Sequence, residues 1–202
     1  MFKLFRKIFD RGRADGDAPI ETNTPLEEIL DELLPLDETE RARKKRVLGE
    51  FMRIVARRFP EAPSRCLVTD VETLAHEHVD PYSTLFSQDV DRLCPVDFIW
   101  YLSSDYYGVD DLEWQASQIL PYFGVSESWK SDTQGEERNA WNAMHELSLW
   151  LAQRGLSLLY IECDDVTAVI LESSSMDATR SLAKQVQLVV YDHADYRAQH
   201  AE

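Results

Sequence analysis

Two apolar runs on either side of a short acidic turn constrain the fold more than any other part of the chain. Residues 156–163 and Val166–Glu172 are rich in β-branched and long aliphatic side chains, which favour strands. Asp164 and Asp165 lie between the runs and are typical of a tight turn. The pattern predicts a β-hairpin, and because the strands of a hairpin are antiparallel, it indicates an antiparallel sheet.

The segments around this hairpin alternate between strand and helix patterns, and Gly124 and Gly155 mark the ends of two of the helices. The predicted elements are, in order, a strand at 96–102, a helix from Asp110 or Asp111 to Phe123, a helix at about 136–154, the hairpin, a helix at about 176–187 and a strand at 186–191. If the two central helices count as one crossover, this order is that of a ferredoxin-like split βαβ. We therefore predict an α+β fold, an antiparallel sheet of about four strands with helices mainly on one face.

The part of the chain before this pattern is predicted to be helical. Proline and capping signals indicate a helix at residues 25–34 and a longer basic helix from about residue 37 to residue 59. The apolar side chains that recur at helical spacing in the basic helix predict its buried face: Leu48, Phe51, Met52, Val55 and Phe59. Two shorter helices are expected at residues 71–78, capped by Asp70, and at residues 82–93.

These elements suggest four parts of the chain. Residues 1–24 are expected to be an amphipathic N-terminus with a flexible linker, and residues 25–62 a helical arm that contains the basic helix. Residues 63–192 are predicted to form a single α+β domain, and residues 193–202 a C-terminal tail.

The charge of the chain is unevenly distributed. Residues 1–60 contain 13 Lys and Arg and 12 Asp and Glu, whereas residues 61–202 contain 8 and 25. Because so few cations are available to neutralise phosphates, we expect the main domain to bind neither DNA nor RNA. An acidic surface of this kind favours solubility and attraction to a basic protein partner. The eight basic residues within 41–58 could bind RNA, anionic lipid or an acidic partner, or they could dock against the acidic body of the protein itself. The second explanation is favoured, because the two opposite charges share one chain.

The first nine residues have a separate pattern. As a helix they would carry Phe2, Phe5 and Phe9 on one side and the cations Lys3 and Lys7 outside it. A short basic amphipathic helix can lie in an anionic membrane interface. No segment offers about 20 consecutive apolar residues for a membrane span. We expect a cytoplasmic protein with a possible weak peripheral contact with the inner membrane face through residues 1–9.

Three segments resemble a bacterial cytosolic α+β domain family of unknown function: Trp-Tyr-Leu-Ser-Ser-Asp at 100–105, Leu-Glu-Trp-Gln at 112–115, and Gly-Leu-Ser-Leu-Leu-Tyr-Ile at 155–161. The resemblance covers roughly residues 95–191. It implies a compact α+β domain, and it implies no activity.

Motifs for catalysis are sparse. The sequence has neither a P-loop nor a GxGxxG motif, and its serines lack a GxSxG elbow. The carboxylates Asp105, Asp110, Asp111 and Glu113 could together hold Mg²⁺ for a hydrolase, but Asp and Glu are also common at helix N-termini. We therefore expect no catalytic residues, metal or cofactor, and keep a metal-dependent hydrolase at this cluster as an alternative.

Aromatic and acidic residues instead indicate a binding surface. All five tryptophans lie between residues 100 and 150, and large aromatic side chains beside carboxylates are typical of recognition surfaces. We predict a non-enzymatic acidic protein, immunity- or antitoxin-like, that captures a basic protein partner. The predicted contact residues are Tyr106, Tyr107, Asp110, Asp111, Glu113 and Trp129. A peripheral membrane regulatory or scaffold protein that uses the basic N-terminus is the other alternative.

Overall fold

The computed structural model describes residues 38–77, 80–86, 99–105, 107–163 and 165–200. The elements in chain order are helices α1 (Glu38–Val55), α2 (Glu61–Glu77) and α3 (Pro81–Phe86), strand β1 (Leu102–Ser104), helices α4 (Val109–Ile119) and α5 (Ala140–Ala152), strands β2 (Leu156–Ile161) and β3 (Val166–Glu172), helix α6 (Met176–Gln185), strand β4 (Val190–Tyr191) and helix α7 (His193–His200). All of them lie in one compact unit, Leu36–Glu202. The predicted helix at 25–34 and the amphipathic segment 1–9 lie outside the described residues.

The four strands form one antiparallel sheet in the order β1-β3-β2-β4. The predicted α+β class and the hairpin are therefore confirmed. The strand order departs from a ferredoxin-like sheet, in which the fourth strand pairs with the first. Here Tyr191 of β4 lies opposite Tyr160 of β2. Helix α7 follows β4 at once and stacks Tyr196 on Tyr160, on the strand that β4 pairs with.

The outer strands are shorter than predicted. Strand β1 begins at Leu102, so Trp100 precedes it, and residues 96–98 of the predicted strand lie outside the described part of the chain. Strand β4 contains only Val190 and Tyr191. Strand β4 begins later than the predicted residue 186, because residues 186 and 187 form a turn at the end of helix α6. In this turn Gln187 has a φ of 58°.

The proline-rich segment after α1 is a helix start rather than a break. Helix α2 begins at Glu61, and Pro63 lies in its first turn, where a missing N–H removes no intrahelical hydrogen bond. The prediction that Asp70 caps a separate helix is therefore wrong. Asp80 has a capping role instead, because its Oδ2 accepts a hydrogen bond of 2.7 Å from the backbone N–H of Ser83 at the start of α3.

The predicted starts of the two central helices also need correction. Gly108 occupies the N-cap position of α4, and no side chain caps it, so Asp110 and Asp111 lie inside the first turn. Helix α5 begins four residues later than predicted, at Ala140, because the side chain of Asn139 accepts a hydrogen bond of 2.9 Å from the backbone N–H of Asn142.

Helix α1 packs into the same hydrophobic core as the sheet. All five predicted core side chains, from Leu48 to Phe59, are buried in that core, although the helix ends at Val55 and Phe59 follows it. On the outer side of α1, Arg53 lies 2.5 Å from the carboxylate of Glu72. In the turn that follows the helix, Arg58 binds Glu172 at the end of β3. Part of the basic charge is thus neutralised by acidic residues of the same chain, in agreement with the prediction that the basic helix docks against the protein itself.

Both faces of the central strands are buried. Leu158 and Tyr160 lie on one face of β2, and Leu159 and Ile161 lie on the other, and each is at most slightly exposed. Residues 193–202, which the sequence analysis treats as a tail, begin with helix α7, whose Tyr196 is buried. Within the described residues, no helix combines the length and the apolar character that crossing a membrane requires.

Candidate functional site: the exposed face of helix α4

The predicted contact residues separate into an exposed group and a buried group. Tyr107 is 81% exposed, and Asp110 and Asp111 are exposed in the first turn of α4. Glu113 and Trp129 are only 5% and 4% exposed. Tyr106 lies outside the described residues. Only the exposed group can meet a partner without a rearrangement, so we correct the predicted surface to exclude Glu113 and Trp129.

A tight loop places Tyr107 at the start of α4. The Asp105 carboxylate accepts a hydrogen bond of 3.0 Å from the backbone N–H of Tyr107, and the N–H of Gly108 donates to the Asp105 carbonyl at 3.3 Å. A Cβ atom at Gly108 would lie 2.0 Å from Ser104 Oγ. Glycine therefore allows the loop to pass close to the end of β1, and Tyr107 is held there by local bonds.

Trp114 extends this exposed surface along the helix. It is 56% exposed, and it lies three and four residues after Asp111 and Asp110, so the three side chains are neighbours on one face. The opposite face of α4 is buried through Leu112 and Ala116. We name Tyr107, Asp110, Asp111 and Trp114 the α4 surface. Trp114 is not among the predicted contact residues, although its spacing from the buried Leu112 and Ala116 indicates an exposed position.

Glu113 has a structural role. Its carboxylate accepts hydrogen bonds from Lys130 Nζ at 2.6 Å and from the backbone N–H of Ser131 at 3.1 Å, and Arg138 lies 3.4 Å away. Burial raises the pKa of Glu113, but the hydrogen bonds from Lys130 and Ser131 outweigh it, so the pKa lies below its ordinary value. The Ser131 hydroxyl also donates to Glu146 of α5 at 2.6 Å. These contacts fix the loop between α4 and α5.

The acidic character of the α4 surface is partly offset. Arg138 Nη2 lies 2.6 Å from Asp110, and this contact raises the pKa of the Arg138 guanidinium. Asp111 remains exposed. Residues 93–129 contain six Asp and Glu and no Lys, Arg or His, so the local excess of negative charge persists.

Three of the four carboxylates of the alternative hydrolase are held by partners within the protein, and Asp111 is exposed. Asp105 binds a backbone N–H, Asp110 binds Arg138, and Glu113 binds Lys130. Among the described residues, no three His, Cys, Asp or Glu side chains are arranged to hold a metal ion. A hydrolase at this cluster therefore stays a prediction, and the geometry offers it no support.

Comparison with known protein families identifies the family of this chain. The family model described as Domain of unknown function (DUF6630) matches residues 25–194. The chain belongs to this family. No curated protein and no solved structure matches the chain significantly.

The DUF6630 match is wider than the resemblance seen in the sequence, which covers roughly residues 95–191. It includes helix α1 and the segment before it, as well as the sheet and the α4 surface. The basic helix therefore belongs to the DUF6630 domain, in agreement with its position in the same core as the sheet. The family carries no assigned activity, so the functional argument rests on the α4 surface.

Proposed function

We propose that this DUF6630 protein is a non-enzymatic, cytoplasmic binding protein that captures a basic protein partner through the α4 surface. The observation that carries the proposal is the exposure of Tyr107 and Trp114 beside Asp110 and Asp111. Trp and Tyr are enriched among the residues that dominate binding energy at interfaces. Their rings also attract Lys and Arg side chains of a partner through cation–π contacts.

The charge of the molecule supports a basic partner over an acidic one. Residues 61–202 contain 8 Lys and Arg against 25 Asp and Glu, and complementary charge accelerates encounter and rejects partners of like charge. An immunity or antitoxin role fits this chemistry, because blocking a basic enzyme needs acidic groups and aromatic anchors and no catalytic residue of its own.

The first test is affinity capture of the tagged protein from its native lysate at moderate salt, followed by binding measurements on a retained basic protein. Asp111→Lys should weaken that binding by about tenfold or more, since close charge pairs at interfaces contribute about 1.5 kcal/mol or more. Asp177→Lys is the matched control, because Asp177 is also an exposed acid in the first turn of a helix, α6.

Two results would contradict the proposal. The first is equal loss of affinity in Asp111→Lys and Asp177→Lys, which would show a response to net charge alone. The second is capture that retains no stoichiometric basic protein from a lysate in which the tagged protein is folded.

A further inference from the structure

Three hydrogen-bonded side chains join the C-terminal helix α7 to the rest of the fold. His145 Nδ1 of α5 lies 2.8 Å from His193 Nε2 of α7. The other ring nitrogen of His193, Nδ1, lies 2.9 Å from the hydroxyl of Tyr160 on β2. The Tyr160 hydroxyl also lies 3.4 Å from the Met144 carbonyl. The imidazole planes differ by 13°, so the two rings are nearly parallel.

This chain of side chains tolerates one added proton and not two. In the neutral form one hydrogen atom lies between the facing nitrogens of His145 and His193. When His145 is protonated, its Nδ1–H donates to His193, the Nδ1–H of His193 donates to Tyr160, and the Tyr160 hydroxyl donates to the Met144 carbonyl. A second proton would place an N–H on both facing nitrogens, so their hydrogen bond would be lost and two like charges would meet.

Helix α7 depends on contacts of this kind. It has eight residues, and a helix that short is not stable by itself in water. Tyr196 is stacked on Tyr160 at 3.8 Å and on Trp141 at 5.1 Å between ring centroids. At the N-terminal end of α7, Arg180 of α6 pairs with Asp192 and Asp195. The histidine pair is therefore one of a small number of anchors for α7.

We propose that His145, His193 and Tyr160 form a pH-sensitive latch, which holds α7 on the sheet at neutral pH and releases it when both imidazoles are protonated. Release would uncover the aromatic surface formed by Trp141 and Tyr160. The latch is independent of the α4 surface and of the proposed partner.

The surroundings of the latch fix the direction of its pH response. Burial, and next the positive charge of Arg197, lower the pKa of His145, while Glu146 opposes them. Burial, His145 and Arg197 lower the pKa of His193, while Asp192 opposes them. Among the described residues, the titratable and charged groups around the pair are, by element, Glu146 on α5, Tyr160 on β2, Tyr191 on β4, Asp192 before α7, Asp195, Tyr196 and Arg197 on α7, and Arg180 on α6.

A histidine whose pKa is lowered in the docked state favours docking when it is neutral. The stabilisation is fully present above the ordinary histidine pKa of about 6.5 and is lost as the pH falls below it. Acidification should therefore release α7, whereas a rise in pH above neutral should not.

The test is native-state hydrogen exchange of the full chain, corrected for the intrinsic pH dependence of exchange. Between about pH 7.5 and about pH 5, the protection of the α7 amides should fall by about tenfold or more, while the β2 and β3 amides keep theirs. His145→Gln, which replaces one titratable imidazole with an uncharged amide, should retain most of its α7 protection at about pH 5.

A second pair of variants keeps the test valid if His145→Gln fails to fold. Arg197 is exposed. Arg197→Gln removes a charge that repels the imidazolium forms, so the acid-induced loss of α7 protection should shrink, and Arg197→Lys should behave like the wild type. The proposal is overturned if α7 protection does not depend on pH, if β2 and β3 lose protection in parallel, or if the loss is the same in the wild type, His145→Gln and Arg197→Gln.

Discussion

Glu113 is a buried carboxylate with a structural role, although it lies among residues that were predicted to contact a partner. Its neighbours Asp110 and Asp111 are exposed, but Glu113 turns inward and binds Lys130 and the Ser131 backbone. A buried ionised group is stable only with hydrogen bonds and opposite charge around it. The contacts that satisfy Glu113 also position the loop that follows α4.

Glu113→Gln should destabilise the protein by about 1–2 kcal/mol near neutral pH, because it removes charge-assisted hydrogen bonds, of which the one to Lys130 is partly screened by solvent. Since the pKa of Glu113 lies below its ordinary value of 4.5, the difference from the wild type should be constant above that pH and should shrink as the pH falls through the lowered pKa. Denaturant unfolding at several pH values measures it. The exposed Asp111→Asn is the control, and an equal effect there would contradict the assignment.

The sequence shows that aromatic and acidic residues cluster between residues 100 and 150, but it does not show that Trp129 is buried. Trp129 and Trp114 are chemically identical, yet the first is 4% exposed and the second 56% exposed. Trp129 lies in a polar loop without periodicity, so the sequence gives no face on which to place it. Trp114 lies on a helix, where its spacing from the buried Leu112 and Ala116 indicates the outer side.

The outer edge of strand β1 is closed by a side chain rather than by another strand. Gln115 of α4 accepts a hydrogen bond of 2.8 Å from the Ser103 N–H and donates one of 2.9 Å to the Ser103 carbonyl. Its amide thus takes the place of a neighbouring peptide group. Open strand edges favour pairing between molecules, so Gln115 both anchors α4 on the sheet and protects the edge.

Gln115→Ala should lower the free energy of unfolding by about 1–3 kcal/mol, because the two backbone groups of Ser103 lose their partners in a half-buried position. Gln118→Ala changes the same residue type at an exposed position of the same helix and should change stability by less than about 0.5 kcal/mol. Chemical denaturation compares the two. Equal effects would show that the pairing with Ser103 contributes nothing specific.

Strong local sequence patterns were sufficient to predict individual helices and strands. Strand β3 has the predicted bounds, Val166–Glu172, because a long apolar run bounded by polar residues leaves little choice of register. Helix α7 was missed because its sequence is polar, and Tyr196 finds its stacking partners on distant elements. The position of β4 beside β2 is likewise a pairing between distant parts of the chain, so it could not be read from local sequence.

Within the described residues, one hydrophobic core joins helix α1 to the sheet. Phe51 and Met52 of α1 belong to the same buried cluster as Leu159 and Val169 of the hairpin. The domain division suggested by the sequence separates residues 25–62 from residues 63–192. The shared core predicts instead that α1 and the sheet unfold together.

Phe51→Ala should test this cooperativity. The substitution leaves a cavity in a fully buried site and should cost about 3–5 kcal/mol. Tryptophan fluorescence reports residues 100–150, and far-ultraviolet circular dichroism reports all helices. The two unfolding curves should shift together and remain coincident. Two separate transitions, with only the helical signal shifted, would show that the α1 region is an independent arm.

The central claim is that the α4 surface binds a basic partner, and one matched pair of exposed apolar residues tests it most directly. Trp114 on α4 and Leu149 on α5 are 56% and 53% exposed, so loss of either side chain should cost little stability. The measurement is the dissociation constant of the captured partner for Trp114→Ala and Leu149→Ala at the same salt concentration. We predict that Trp114→Ala weakens binding by about thirtyfold or more, as expected of an aromatic anchor that contributes about 2 kcal/mol, while Leu149→Ala leaves the affinity unchanged. Unchanged affinity in Trp114→Ala would contradict the account.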